Sequence, residues 1–131
     1  MNKRVYKGNI VNILQGLSDR DYQERVWLNI NNSEELVDSF VEACCMLFDD
    51  CVVGDYLKER EILFDRRTTN AFHELDVAID AVEASDENGE YRSQEEIIND
   101  PLMEIVRDKA AKVLELIKAS DVSESTVEII E

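Results

Sequence analysis

Few side chains in this sequence have the types and spacing that catalysis or metal binding requires. His73 is the single histidine, whereas zinc sites need several histidine or cysteine ligands at paired spacings. Cys44 and Cys45 lie among apolar residues of a predicted helix, where burial raises the pKa of a thiol and lowers its reactivity. We therefore interpret His73 as a partly exposed structural residue, and we expect Cys44 and Cys51 to pack in the core.

The segment around Gly89 partly fits a calcium-binding loop. With Gly89 at the obligatory glycine position, later ligand positions of the loop fall on Asp86, Asn88 and Glu95. The first ligand position, however, falls on Ala84, where an acidic residue is needed. A polar loop over residues 85–92, followed by a helix that starts at Ser93, explains the same residues without a metal. We favour the loop interpretation.

Three carboxylates, Asp76, Asp80 and Glu83, share one face of a predicted helix. Di-iron helical bundles use a Glu-x-x-His motif, but here Asn70 is the residue three positions before His73. A solvated charged face is therefore the better interpretation of these carboxylates. The sequence predicts no catalytic residue, no metal site and no cofactor.

The chain is strongly acidic, with 30 Asp and Glu against 14 Lys and Arg and a formal net charge of −16. Residues 1–33 hold five basic and three acidic residues (+2), whereas residues 34–131 hold nine basic and 27 acidic residues (−18). Because phosphates would be repelled, this charge argues against nucleic acid and against an anionic membrane as partners. A basic protein partner is compatible with the charge, and so is a role in solubility alone.

The carboxylates most suited to dock a basic protein are predicted on one helix and just beyond its end. The candidate binding residues are Asp38, Glu42, Asp49, Asp50, Asp55, Glu59 and Glu61. Asp49 and Asp50 would lie at a helix C-terminus, where the helix dipole disfavours carboxylates. Such violations of a local rule are more frequent at functional sites than elsewhere. The alternative is a hydrated face without a partner.

The elements that must position these residues are predicted to be helices. One proline and four glycines leave few turn breakers in 131 residues. Apolar residues at helical spacing predict helices over residues 3–17, 19–30, 33–51, 56–84 (or two helices broken near 66–70), a short helix after Ser93, and 101–119. We expect an all-α fold, a compact single-domain bundle of about five to seven helices over residues 1–131.

The sequence also predicts where these helices begin and which side of the last helix is buried. The predicted N-terminal caps are Ser18, Ser33, Asp55 (after a turn at Gly54), Ser93, and Asp100 followed by Pro101. The helix over 33–51 is predicted to be central. The last helix is predicted to bury Leu102, Ile105, Val106, Ala110, Val113, Leu114 and Ile117. The tail, residues 120–131, is expected to fray or to add a short edge strand.

Cysteine usage and hydropathy predict a cytoplasmic protein. Cys44, Cys45 and Cys51 are too close together for a disulfide framework and indicate a reducing compartment. Residues 1–12 lack the apolar core of a secretory signal. No apolar run approaches the roughly 20 residues that a membrane-spanning helix needs.

The segment VWLNINNSEELVDSFVEACCMLFDDC resembles small bacterial immunity proteins of contact-dependent growth inhibition. Their pattern is a Trp, then Ser-Phe-x-Glu, one or two cysteines, and Phe-Asp-Asp. The matching residues here are Trp27, Ser39, Phe40, Glu42, Cys44, Cys45, Phe48, Asp49 and Asp50. The segment NDPLMEIVRDKAAKVLELI is similar to the final helix of that family. A glycine-containing turn usually follows the Trp in the family, whereas this sequence has Asn29, Asn31 and Asn32.

The resemblance implies an all-helical cognate inhibitor rather than an enzyme. Such a protein would bind the C-terminal toxin domain delivered by neighbouring cells, commonly a nuclease, and block it in the cytoplasm. Nuclease active sites are basic because they hold phosphate, so an acidic protein can occupy them. The alternative is an acidic helical adaptor or regulatory protein that binds another basic partner. The gene neighbourhood would distinguish the two.

Overall fold

The computed structural model describes residues 4–29, 38–51, 53–82, 85, 87–90, 92–120 and 124–131. Within these ranges the chain is mostly helical, as predicted. The helices are α1 (Lys7–Ser18), α2 (Arg20–Tyr22), α3 (Phe40–Cys45), α4 (Val53–Lys58), α5 (Arg66–Ala81), α6 (Gln94–Ile98) and α7 (Pro101–Ala119). Helices α2 and α3 continue as π-helical turns, over Gln23–Trp27 and Met46–Asp50. Two short strands are β1 (Arg4–Tyr6) and β2 (Glu128–Ile130).

The central element of the bundle is α7, which packs along both α5 and α1. The prediction that α7 begins at Pro101 and ends near Ala119 is confirmed. Its start is stabilised by the Asp100 carboxylate, which accepts a hydrogen bond from the backbone N–H of Leu102 at 2.9 Å. The buried side of α7 comprises Met103, Val106, Arg107, Ala110, Val113 and Ile117. The expectation of a central helix over 33–51 is therefore wrong, because α7 holds that position.

The predicted helix over residues 33–51 also begins later than expected. Ser39 precedes α3, and its side-chain oxygen accepts a hydrogen bond from the backbone N–H of Glu42 at 3.1 Å. Ser39 and Glu42 have the spacing of a capping box, a start signal that Ser33 lacks. Ser33 lies outside the described residues. Asp38 consequently precedes the helix instead of lying on it.

The predicted helix over residues 56–84 is two helices, and the break lies before residues 66–70. Arg60 and Phe64 have positive backbone φ angles of 58° and 71°, a conformation that no α-helix continues through. The Asp65 carboxylate then caps α5 by accepting a hydrogen bond from the Thr68 N–H at 2.7 Å.

Gly54 lies inside α4 and not at a turn, and Asp55 lies in the first turn of α4 instead of capping it. A Cβ atom at Gly54 would come within 3.1 Å of the Phe48 carbonyl oxygen. The glycine is therefore needed for the close approach of α4 to the turn over Met46–Asp50, and no bend is required. The predicted turn at Gly54 is therefore wrong, and close packing against Phe48 accounts for the glycine at this position.

The first predicted helix is shorter than expected because its start forms a strand. β1 pairs in parallel with β2, with Arg4 opposite Glu128 and Tyr6 opposite Ile130. Of the two expectations for residues 120–131, the short strand is therefore correct for Glu128–Ile130. The start of α2 also differs, since Asp19 caps it by accepting from the Tyr22 N–H at 3.1 Å, whereas Ser18 ends α1.

A buried guanidinium joins four helices at one end of the bundle. Arg107 of α7 is 5% exposed, and its Nε donates to the Gln23 side-chain oxygen at 2.9 Å. Its other nitrogens donate to the Ile98 carbonyl and the Glu104 carboxylate, both at 2.6 Å. The Gln23 amide in turn donates to the carbonyls of Gly16 and Leu17 at 3.0 and 2.9 Å. Burial lowers the pKa of Arg107, and the neighbouring Glu104 opposes that shift.

Replacing Arg107 by Ala should lower the free energy of unfolding by about 2–4 kcal/mol, because buried acceptors on Gln23 and Ile98 lose their donor. Urea unfolding followed by circular dichroism measures the loss. Lys112→Ala, at an exposed position of the same helix, is the matched control and should change stability by less than about 0.5 kcal/mol. Equal effects of the two substitutions would contradict a structural role for Arg107.

Candidate protein-binding surface

The predicted binding carboxylates lie between the residue before Ser39 and the segment just after α4, and include positions on α3, its π-helical turn and α4. The exposed members are Glu42, Asp49, Asp55 and Glu59, and we call these four residues the acidic surface. Because α4 packs against the turn over Met46–Asp50, Asp49 and Asp55 belong to neighbouring elements. Glu61 is partly buried, and the side chain of Asp50 is outside the described part of the chain. Lys58 and Arg60 are also exposed here and interrupt the run of negative charge.

Asp38 differs from the acidic surface because its carboxylate is engaged inside the molecule. One oxygen accepts hydrogen bonds from the Tyr22 hydroxyl at 2.8 Å and from Trp27 Nε1 at 3.2 Å. The other oxygen accepts from the backbone N–H of Ser39 at 2.8 Å. The Trp27 ring also meets the Phe40 ring edge to face, with centroids 6.2 Å apart. Asp38 therefore ties α2 to the start of α3, and its contact with a toxin stays a prediction.

The contact with Asp38 changes the acidity of Tyr22. Burial raises the pKa of Tyr22 above its ordinary value of 10.0, and the hydrogen bond to the Asp38 carboxylate raises it further. The folded chain consequently keeps this phenol protonated at a pH where an unfolded chain would release the proton. The resulting stabilisation is complete below pH 10.0 and is lost as the pH rises from there towards the folded-state pKa.

Two carboxylates of α5 extend the negative charge towards α3, which the sequence did not predict. Asp80 and Asp76 lie close enough to Cys44 to raise the pKa of its thiol, after burial, Cys45 and Asp38. The pKa of Asp76 is itself raised, first by burial and then by Asp80, while His73 and Lys58 lower it. Helical spacing placed Asp76 and Asp80 on one face, but it could not show that this face lies near Cys44.

The three cysteines differ in burial. Cys44 and Cys51 are partly buried and pack against the core, as expected, whereas Cys45 is exposed. The pKa of Cys44 rises to about 12, mainly because burial disfavours the thiolate. At neutral pH this thiol is therefore a poor nucleophile, which agrees with the interpretation from sequence.

The remaining candidates for catalysis or metal binding are His73 and the residues around Gly89. His73 is exposed on α5, and its interpretation as a structural residue stays a prediction. In the described ranges, no group of three or more His, Cys, Asp or Glu side chains is arranged to hold a metal ion. Gly89 has a φ of 80° in a polar turn, as predicted for the loop. Glu83, Ala84 and Asp86 lie outside the described residues.

Comparisons with known proteins assign no family to this geometry. No protein-family model matches the chain, and neither a curated protein nor a solved structure matches it. The resemblance to immunity proteins of contact-dependent growth inhibition therefore stays a prediction that rests on Trp27–Cys51 and Asp100–Ile117. Separately, none of the helices within the described ranges is both long and apolar enough to cross a lipid bilayer.

Replacing Asp38 by Asn should lower the pKa of Tyr22 but leave it above 10.0, because burial is the larger cause of the shift. Tyrosinate absorbance during alkaline titration measures this pKa, with Tyr22→Phe identifying the signal of Tyr22. Asp21→Asn, at an exposed position next to Tyr22, is the control and should leave the titration unchanged. A Tyr22 pKa that does not respond to Asp38→Asn would exclude the hydrogen bond.

Proposed function

We propose that this protein is an immunity protein that binds and neutralises a cationic toxin domain, a basic nuclease, by covering the toxin's active site. The observation that carries the proposal is the charge of −18 on residues 34–131, of which the exposed acidic surface is a part. Such a field attracts a basic protein and raises the rate at which the two meet. Speed matters for an inhibitor whose target is harmful until it is bound.

The scaffold supports inhibition by binding better than it supports catalysis. Glu42, Asp49 and Asp55 are exposed on short helical segments whose backbones are held by packing, and Glu59 is exposed directly after α4. The Asp38 contacts with Tyr22 and Trp27 hold the start of α3, the helix that carries Glu42. A basic nuclease site, built to hold phosphate oxygens, can accept carboxylate oxygens in their place.

The direct experiment is to co-express this chain with the protein encoded by the adjacent gene. We expect a stable one-to-one complex, loss of the toxin's nuclease activity, and survival of cells that make both proteins. An adjacent product that is neither bound nor neutralised would contradict the proposal. A complex with a basic protein that is not a toxin would instead favour the acidic adaptor, which is the alternative function.

Charge reversal at Asp49 and Asp55 should weaken the toxin complex by about 1–3 kcal/mol, because two attractions become repulsions. Calorimetric titration of the toxin domain measures the affinity, and circular dichroism checks that helix content is retained. We expect folding to persist, since a lysine suits the helix C-terminus at position 49 even though it is less favourable in the first turn of α4.

The matched control is the double variant Glu87→Lys/Glu115→Lys, which changes net charge by the same amount at exposed positions of a turn and of α7. It should reduce affinity less than Asp49→Lys/Asp55→Lys does. Equal losses from the two variants would show that only total charge matters and would remove the acidic surface from the interface.

A further inference from the structure

Exposed apolar side chains gather on one side of the bundle, where α5 lies against α7. Val77 is 70% exposed, Ile105 is 46% exposed and Leu102 is 38% exposed. Val77 and Ile105 line a shallow groove together with Ala78 and Ala81, which we call the α5–α7 groove. The expectation that Leu102 and Ile105 are buried is thus wrong, because they lie at the edge of the α7 stripe and no described element covers them.

The α5–α7 groove is not needed to close the core beneath it. Ala110 and Val106 of α7 are fully buried, and Ala78 of α5 is nearly so, which means that the two helices already pack closely. Single exposed apolar residues are ordinary on protein surfaces, but a cluster of them that forms a concave surface is typical of an interaction site. Because both side chains lie at least partly in solvent, we expect the fold to tolerate polar residues at Val77 and Ile105.

Two carboxylates lie beside the apolar residues without lining the groove. Asp80 lies three residues after Val77 and Asp108 three residues after Ile105, so each carboxylate is on the same side of its helix as the apolar residue. Both carboxylates are exposed, and neither forms an ion pair within the part of the chain that the structure describes. The groove itself is also lined by His73 and by Glu74 and Lys109, which pair at 3.5 Å.

We propose that the α5–α7 groove binds an amphipathic helical segment of a cationic protein. Apolar side chains of that segment would pack on Val77 and Ile105, while its Lys and Arg side chains would face Asp80 and Asp108. A groove between two packed helices suits a third helix, and an apolar centre with a charged rim is the usual anatomy of an interface. The proposal rests on the proposed function in that the occupant belongs to the same basic partner.

Charge complementarity selects this occupant over a second copy of the chain. Two copies joined groove to groove would bring Asp80 and Asp108 of each molecule together, between bodies that each carry a formal charge of −16. A basic segment removes that repulsion and supplies partners for both carboxylates. The groove would then provide the buried contact that long-range attraction alone lacks.

The test uses two synthetic peptides of identical composition on the full chain: a cationic peptide that is amphipathic as a helix, and its scrambled form. We expect the amphipathic peptide to bind more tightly. The variant Val77→Asp/Ile105→Asp should lower its affinity by roughly tenfold or more, although the variant is more negative. The control Asn12→Asp/Gln15→Asp adds the same charge at exposed positions of α1 and should not weaken binding.

Several results would overturn the groove proposal. Equal binding of the two peptides, or unchanged binding by Val77→Asp/Ile105→Asp, would overturn the proposal, because charge alone would then explain attraction. Sedimentation that reveals a dimer abolished by this variant would assign the groove to a second copy and also overturn it. Both variants change exposed side chains, and circular dichroism confirms that each is folded.

The toxin experiment separates this proposal from the proposed function. If Val77→Asp/Ile105→Asp neutralises the toxin domain as well as the unmodified protein does, the groove proposal fails and the immunity function stands. If no toxin is bound while the peptide results hold, the immunity function fails and the groove remains a site for some other basic helical segment.

Discussion

Burial of the Arg107 guanidinium is the constraint on which the arrangement of helices depends. A buried cation is tolerable only when its donors are met by acceptors, and here Gln23, Ile98 and Glu104 supply them. Gln23 can do so only while its own amide reaches the carbonyls that end α1. These contacts fix together the ends of α1, α2 and α6 and the first half of α7, while α5 packs along α7.

The folded molecule has two different surfaces, the acidic surface and the α5–α7 groove. In the proposed function, the acidic surface on α3 and α4 contributes to a field that would set how fast and in which orientation a cationic partner approaches. The α5–α7 groove would supply apolar contact once that partner has arrived. Asp76 and Asp80 of α5 lie near Cys44 of α3, so negative charge continues from one surface towards the other.

Local signals predicted part of this fold well. Asp100 and Pro101 mark the start of α7 because a cap and a fixed backbone angle act within one turn, and Ser93 marks α6 in the same way. The pairing of β1 with β2 joins residues that are far apart in sequence, so no local pattern could show it. Apolar spacing likewise could not predict the π-helical turn after Cys45 or the positive φ angles of Arg60 and Phe64.

The candidate site was predicted in its residue types but not in its arrangement. Exposure of Asp49 and Asp55 follows from their charge, whereas the internal role of Asp38 depends on Tyr22 and Trp27 from another helix. Exposure of Ile105 could not be predicted. Helical spacing shows which side of α7 faces the core, but it does not show how many residues on that side are covered.

Capture of a cationic partner by a negative field is tested most directly by association kinetics. Stopped-flow mixing of this protein with the proposed toxin domain, over a range of ionic strength, measures the association rate constant. We expect this rate constant to fall steeply as salt increases, because screening shortens the reach of the field. A rate constant that does not change with salt would contradict the proposed capture.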